Sequence, residues 1–421
     1  MNLYELHTHL YGCLVEEDLQ WLGQRRTPRW EIYINSFKKI YGYEPKIEIL
    51  YKNQIFSNSK LNQYQKRILR KFYRMDPTKF GFLQFQNCFD FIIALSNTDP
   101  EELQEITKRV LSRQEEIYAE YRMMFSPFIK ETEFKEKVSG LVEAFDSLET
   151  KIYPKQAKFI ISLNREYPLY EWQYEIIKSL QKKTKNLIGI DFAGKEEGFP
   201  PKEKRNFIKK VLKENQSSKP LLLTYHVGES FTDKTPASTI RWILELQEMG
   251  VHRIGHAVAL AYTEEKVQNK TFREIFSERK DYLNFLYSLY EKGEKWIPID
   301  FLKKEEKLQN SSYIDIVYEG LEKKLYLDFL EYSLHFLRSH GAVIESCPTS
   351  NQKICGFSPL KFFVDAGLKV CLGADDPSIL GTTLKKEFDY AKKILGKELT
   401  ETIKKNNQNY CGVELLKKLY S

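Results

Sequence analysis

His7 and His9 stand two residues apart, directly after the run Leu3–Leu6. On an extended backbone residues i and i+2 point to the same face, so two imidazoles at a strand end form a clamp for a metal ion. A pair at this spacing is more often an ordinary surface or core feature and gains meaning only from partners elsewhere. Those partners are present. The apolar run Leu221–Tyr225 delivers His226, followed by Gly228 and Glu229; Arg253–Gly255 delivers His256; Val370–Ala374 delivers Asp375 and Asp376, followed by Pro377. Four of the seven histidines thus lie at or just past the ends of short candidate strands. Three neutral imidazoles and one carboxylate make a nitrogen–oxygen donor set that suits Zn²⁺ and is compatible with other divalent transition metals. Asp375-Asp376 also reads as a turn that caps a helix, but capping leaves the four histidines unexplained. Nucleophilic catalysis has less support. There is no GxSxG, no cysteine sits in a nucleophile signature, and Ser230 and Cys347 read as structural. The paired HxE and PCxxC pattern of one class of zinc sites is also absent.

For these side chains to meet, the elements carrying them must converge. Candidate strands are Leu3–Leu6, Tyr118–Phe125, Lys158–Leu163, Leu187–Asp191, Leu221–Tyr225, Arg253–Gly255, Ala342–Glu345 and Lys369–Leu372. Helix-like segments such as Glu101–Glu116, Glu171–Lys183, Lys204–Glu214 and Thr239–Met249 lie between several of them. Strand and helix in alternation argue for parallel βα units. Eight units in a chain of this length fit an α/β fold of the (β/α)8 TIM-barrel type, whose strand ends converge on one catalytic face. An open doubly wound sheet is the alternative, but neither GxGxxG nor GxxxxGK[ST] occurs to support it. Two long connections, roughly residues 20–91 and 261–339, interrupt the alternation; they are charged, aromatic and expected to be mostly helical. They read either as lids and interface elements or as packing decoration. The aromatics Trp30, Tyr33, Phe37, Tyr41 and Tyr43 fit either partner contact or core at helical spacing. No internal repeat or low-complexity linker divides the chain, so residues 1–421 are expected to form a single domain with insertions.

The chain has 421 residues, of which 42% are hydrophobic, so a sizeable core can form and disorder as the main state is excluded. The formal charge of +7 is mild for this length and permits anionic partners without arguing for nucleic acid. The basic run Lys202–Lys213 reads as a solvated helix face. Mean hydropathy is −0.50 and no apolar run is long enough to span a membrane. The start, Met-Asn-Leu-Tyr-Glu-Leu-His, lacks the basic-then-apolar pattern of a secretory leader. Six scattered cysteines without a CxxC pair suggest free thiols, and the expected location is the cytoplasm.

Taken in order, Glu5-Leu6-His7-Thr8-His9-Leu10, Asp191-Phe192-Ala193-Gly194, His226-Val227-Gly228-Glu229, Arg253-Ile254-Gly255-His256, Cys347-Pro348-Thr349-Ser350-Asn351 and Asp375-Asp376-Pro377 resemble the motifs of the adenosine/AMP deaminase family of metal-dependent hydrolases. Tyr118–Pro127 looks like that family's second strand. The resemblance spans most of the chain, as a divergent member, and covers the two long connections poorly. It implies that His7, His9, His226 and Asp375 hold one Zn²⁺ per chain, which makes hydroxide available from water near neutral pH. It implies that His256 orients and helps deprotonate that water, and that Glu229 gives a proton to the purine ring nitrogen. Glu229 is then expected to be buried with a raised pKa. Asp376 would accept a hydrogen bond from the water or the purine edge, His9 would also face the substrate, and Gly194 would let backbone approach the base. The implied reaction is hydrolytic deamination of adenosine, deoxyadenosine or their 5′-nucleotides (AMP, dAMP, ATP) to the inosine form, with release of ammonia. A deaminase of adenine or an N6-modified purine, and a nucleotide-sensing assembly protein that keeps the site, are the alternatives. A homo-oligomer through the insertions stays open, and neither a membrane nor nucleic acid is expected as partner.

Two departures from the family pattern bear on substrate. Tyr11 replaces the aspartate that in the family usually follows HxHL and binds the sugar 5′-hydroxyl. Loss of that carboxylate removes repulsion toward a 5′-phosphate, and a phenol can donate to one. Lys195, where the family commonly has aspartate, points the same way.

Overall fold

A computed structural model describes residues 2–76, 78–167, 171–305 and 312–420. All eight expected strands form. β1 (Tyr4–His9), β2 (Tyr118–Met124), β3 (Gln156–Asn164), β4 (Leu187–Ala193), β5 (Leu222–Val227), β6 (Arg253–His256), β9 (Val343–Ser346) and β10 (Lys369–Leu372) make one parallel sheet, and β7 (Thr271–Ile275) and β8 (Tyr313–Val317) form a separate pair. In the large sheet the order is β1-β2-β3-β4-β5-β6-β9-β10. Every residue of β4 and β5 is buried, as expected of parallel strands covered on both faces. The barrel closes through a parallel bridge between Thr8 and Asp375. There the Asp375 N–H donates to the His7 carbonyl at 2.8 Å, and the His9 N–H donates to the Asp375 carbonyl at 2.9 Å.

The helices on the outside follow from amphipathic patterning and local caps. Pro236–Met249 starts at Thr235, whose side chain accepts from the Ser238 N–H, and ends at Gly250, whose φ of 86° is left-handed. It packs between the barrel and the second long connection, so nearly all its residues are buried.

The first connection is wider than the sequence suggests. Among the described residues it holds six α-helices: α1 (Glu16–Arg25), α2 (Trp30–Tyr41), α3 (Glu48–Lys52), α4 (Gln63–Tyr73), α5 (Phe82–Leu95) and α6 (Pro100–Ser112). Tyr33 of α2 packs on Phe37, Phe72 and Phe91, with ring centroids 5.8, 6.2 and 5.3 Å away. Tyr33 is therefore core, Trp30 and Phe37 pack half-buried against it, and Tyr43 is 60% exposed.

The second connection, residues 257–342, departs from the helical expectation. Beside the helices Phe276–Glu291, Ile299–Glu305 and Gly320–Ser339 it contains the antiparallel pair β7–β8, in register from Thr271↔Val317 to Ile275↔Tyr313. Each strand has five residues and its partner lies beyond two helices, so no tight turn announces the pairing.

Four charged side chains line up inside the barrel. Arg122 donates to Glu345 at 2.5 Å, Arg253 pairs with Glu345 at 2.7 Å, and Arg253 also donates to Glu120. None is more than 1% exposed, and the two positive and two negative charges balance. Removing one partner leaves an uncompensated buried charge. Glu120→Ala is expected to cost about 3–5 kcal/mol of stability, read as a lowered midpoint in denaturant unfolding; an unchanged midpoint would contradict this account.

Candidate active site

β1 ends on His7 and His9, β5 carries His226, β6 ends on His256, and β10 is followed by Asp375 and Asp376. All face one mouth of the barrel. One donor atom from each of His7, His9, His226 and Asp375 lies within 4.8 Å of the others. His9 Nε2 is 3.3 Å from Asp375 Oδ1 and 3.3 Å from His226 Nε2, and His7 Nε2 is 3.6 Å from Asp375 Oδ1.

The outer nitrogens are held from behind. His7 Nδ1 meets Glu345 Oε2 at 2.8 Å, and His226 Nδ1 meets Asp191 Oδ1 at 3.1 Å. Asp191 is fixed in turn by the hydroxyls of Ser162 and Thr224 at 2.9 and 2.8 Å. Asp375 Oδ2 accepts from Ser350 at 2.6 Å. Such outer partners set ring orientation and tautomer and leave Nε2 free for an ion. His7 Nε2 is buried without a hydrogen-bond partner. Two imidazole nitrogens 3.3 Å apart beside an orphaned third are costly as packing and suited to a shared cation.

The shifts of His7, His226 and Asp375 agree with this, and that of His9 runs the other way. Burial and the Arg122 guanidinium hold His7 well below the ordinary histidine range, and burial lowers His226. Burial works against ionisation of Asp375, but the hydrogen bond from His9 and the neighbouring imidazoles carry its carboxyl well below the usual range. His9 rises, because Asp376 and Asp375 outweigh its burial. Unprotonated His7 and His226 and an ionised carboxylate are the forms that bind a divalent metal. The donor set therefore fits such an ion.

Glu229, His256 and Asp376 stand around this cluster. His256 Nδ1 is 3.2 Å from Glu229 Oε1 and 3.0 Å from Asn351 Nδ2, and its Nε2 is buried and unpartnered. Burial pushes His256 down to about 3. Glu229 is pushed well above the carboxylate range by burial and by the charges of Asp375 and Glu196. Burial and Asp375 also raise Asp376, whose Oδ1 has no hydrogen-bond partner. Gly12 explains how that carboxyl fits, since a Cβ there would come within 2.0 Å of Asp376 Oδ1. Left-handed backbone marks the turns that aim these residues: φ is 63° at His256, 51° at Ala257 and 60° at Asp375. For non-glycine residues this costs about 1–3 kcal/mol each and persists where the surroundings enforce it.

A cavity of about 500 Å³ opens beside His9, between β2 and the first connection. Its walls include Arg29, Ser96, Thr98, Arg122, Phe128 and Lys137, but not Glu229, His256 or Asp376. Tyr11 also lines it, with a correction to the sequence-based expectation: its hydroxyl donates to Glu102 of α6 at 2.7 Å, so it does not stand free to donate to a phosphate. Lys195 is exposed, and its N–H donates to Glu166. Gly194 follows β4 with φ 97°, and a Cβ there would press on the Asn164 amide at 3.3 Å, so backbone shape accounts for this glycine. Of the remaining histidines, His252 is structural: its Nδ1 accepts from the Leu223 N–H at 2.8 Å, and its Nε2 meets Tyr420 at 2.9 Å.

The sequence reading did not assign Glu345, Asp191, Ser350 and Asn351 as supports. Each was visible as a polar residue inside a candidate strand or motif, a placement that calls for a partner. Cys347, taken as structural, lies fully buried with its sulfur grouped with donor atoms of His256 and Asp375.

The adenosine deaminase family model matches residues 49–297 and 325–412. Adenosine deaminase of Aliivibrio fischeri (strain ATCC 700601 / ES114) is 25% identical over 287 residues, covering 66% of this chain and 62% of that protein. Adenosine deaminase of Shewanella loihica is 24% identical over the same shares. The chain thus matches 62% of the length of these curated relatives. Among solved structures, adenine deaminase from Arthrobacter aurescens superposes with a TM-score of 0.58 at 16% identity, over 99% of this chain and 97% of that one. Arabidopsis ADAL complexed with GMP superposes at 0.57 and 16% identity, over 100% and 96%. The Arabidopsis N6-mAMP deaminase MAPDA gives 0.56 and 16%, over 100% and 97%. These structural likenesses concern the fold. With the family motifs in order along the barrel strands and more than half of the residues matched, the chain belongs to the adenosine deaminase family.

Proposed function

We propose that this chain is a Zn²⁺-dependent aminohydrolase that removes the exocyclic amine of an adenine nucleoside 5′-phosphate, giving the inosine form and ammonia. The observation that carries the reading is the convergence of His7, His9, His226 and Asp375 beside a buried glutamate, Glu229, whose carboxyl is raised well above its ordinary range by burial. His7, His9, His226 and Asp375 would hold one divalent ion, which would lower the pKa of water from about 15.7 toward about 7 and so supply a nucleophile at neutral pH. His256, kept neutral by burial, receives the proton of the attacking water at its open Nε2; its own proton then sits on Nδ1, with the Asn351 amide turned to present its otherwise unpartnered Oδ1 there. Glu229 donates its proton to the ring nitrogen beside the reacting carbon and turns the ring into an electron sink. Asp376 Oδ1 orients the water or the leaving amine. The proton held by His256 then passes to the amine, which leaves as ammonia as its C–N bond breaks, and the proton of the new hydroxyl returns to Glu229 as the carbonyl forms.

The phosphate assignment rests on Arg29. Its guanidinium lines the cavity beside His9 and is held by the carbonyls of Ile93 and Ser96, with no carboxylate pairing among the described residues. Its charge is therefore not neutralised. The other cations of the wall, Arg122 and Lys137, are paired with Glu345 and Glu133. All six cysteines are free, which suits a reducing compartment such as the cytoplasm.

Ammonia release from AMP, adenosine, dAMP, ATP, adenine and N6-methyl-AMP tests the assignment. AMP is expected to give the highest kcat/KM, and Arg29→Ala to shrink the AMP-to-adenosine ratio about tenfold; adenosine exceeding every nucleotide would refute the phosphate role. Glu229→Gln should keep its metal and lose about 10²–10⁴ in kcat, so near-normal turnover would remove Glu229 from the mechanism. Asp191→Ala should weaken zinc affinity about 10–100-fold, measured by competition with a chelating dye; unchanged affinity would show that His226 needs no support.

A further inference from the structure

The proton donor Glu229 sits on a turn whose shape nothing in its own side chain enforces. Gly228 before it has φ 84°, and a Cβ there would come within 3.3 Å of Ala257 backbone. What fixes the turn is a buried carboxylate from another loop. Glu196, 5% exposed, accepts the Gly228 N–H at 3.1 and 3.2 Å through its two oxygens, and its Oε2 accepts the Glu229 N–H at 3.1 Å. An anion buried this deeply needs a counter-charge. Lys234 supplies one: with none of its surface exposed, its Nζ lies 3.6 Å from Glu196 Oε1, donates to Asp233 at 3.0 Å and sits 4.5 Å from the centre of the Trp242 ring.

The far end of the same loop is tied to the second long connection. The Asp233 carbonyl accepts the Ile275 N–H at 2.9 Å, and its Oδ2 accepts the Gly198 N–H at 2.6 Å. Thr235 donates through both N–H and Oγ1 to Glu274 at 3.1 Å. Glu274 and Ile275 belong to β7, so the antiparallel pair absent from the simple barrel plan holds the segment that carries Glu229.

We propose that Glu196 is a positioning residue that fixes the Glu229 carboxyl by gripping the two amides at its base, with Lys234 as the charge that allows a carboxylate to do this in the dry interior. The assignment of Glu229 as proton donor is taken from the function proposed above. The clamp itself is a statement about backbone and is read separately by amide exchange. Displacement of a catalytic group by about 1 Å can cost about 10²-fold in rate.

Hydrogen–deuterium exchange and kinetics on the metal-loaded chain test the clamp. In Glu196→Ala the amides of Gly228 and Glu229 should exchange at least about tenfold faster. The variant's kcat should fall about 10- to 100-fold while KM stays within about threefold and metal content is unchanged. Glu196→Gln keeps an acceptor oxygen and should restore most of the protection. Should Glu196→Ala not fold, charge balance decides: Lys234→Met alone should be less protected at Gly228 and Glu229 than the double variant Glu196→Gln/Lys234→Met, which buries no unpaired charge between these two positions. Wild-type exchange in Glu196→Ala, a loss confined to KM, or a double variant no better than Lys234→Met would overturn the clamp. If the wild-type chain releases no ammonia from any aminopurine, the proposed reaction fails while the exchange comparison still decides the clamp.

Discussion

Asp375 sits where the barrel closes, and much else follows from that place. Its N–H and carbonyl bond to the backbone of His7 and His9, so the hydrogen bonds that join the last strand region to the first also set the carboxylate beside the two imidazoles. Barrel closure and assembly of the donor cluster are one event. Gly373 shows how tight this seam is, because a Cβ there would lie 2.5 Å from the His7 Cβ. A chain that failed to close would expose these groups to water and scatter the donors; a chain that closed without an ion would leave His7 Nε2 orphaned in a buried site.

The same buried mouth treats its carboxyls in opposite ways. Asp375 is surrounded by imidazoles and a donating hydroxyl, and its carboxyl is lowered well below the usual range, whereas burial and neighbouring negative charge raise Glu229 well above it. Environments that push two titratable groups apart are how one site holds both an anion and an acid at neutral pH. The separation depends on the buried balance behind it. Glu345 steadies His7 and pairs with Arg122 and Arg253, so the orientation of a ring at the mouth is continuous with the ion pairs inside the barrel.

Much of this was legible in the sequence for a physical reason. In a parallel barrel a functional side chain is delivered at the end of a short apolar run, so His226, His256 and Asp375 advertised both a strand and its catalytic end. All eight strands fall where such runs were read. What stayed hidden depends on contacts distant in sequence. Tyr11 looked free until Glu102, 91 residues away, took its hydroxyl. β7 and β8 are five-residue strands of mixed polarity paired across two helices, which composition alone renders as helical. Lys195 drew notice as a departure from the family pattern, while its neighbour Glu196, ordinary in type, proved to be the one turned inward onto the backbone of Gly228 and Glu229.

The two long connections divide their work by position. The first supplies one wall of the cavity beside His9, through Arg29 and residues near the end of α5. None of the described residues of the second lines that cavity; it holds Asp233 and Thr235 and, through them, the end of the loop that begins at Glu229. A barrel fixes strand ends rigidly and leaves the loops above them free to vary. The shape of the cavity beside His9 can therefore change through the first connection without disturbing the turn that carries Glu229, and that turn is held through the second connection without altering the cavity.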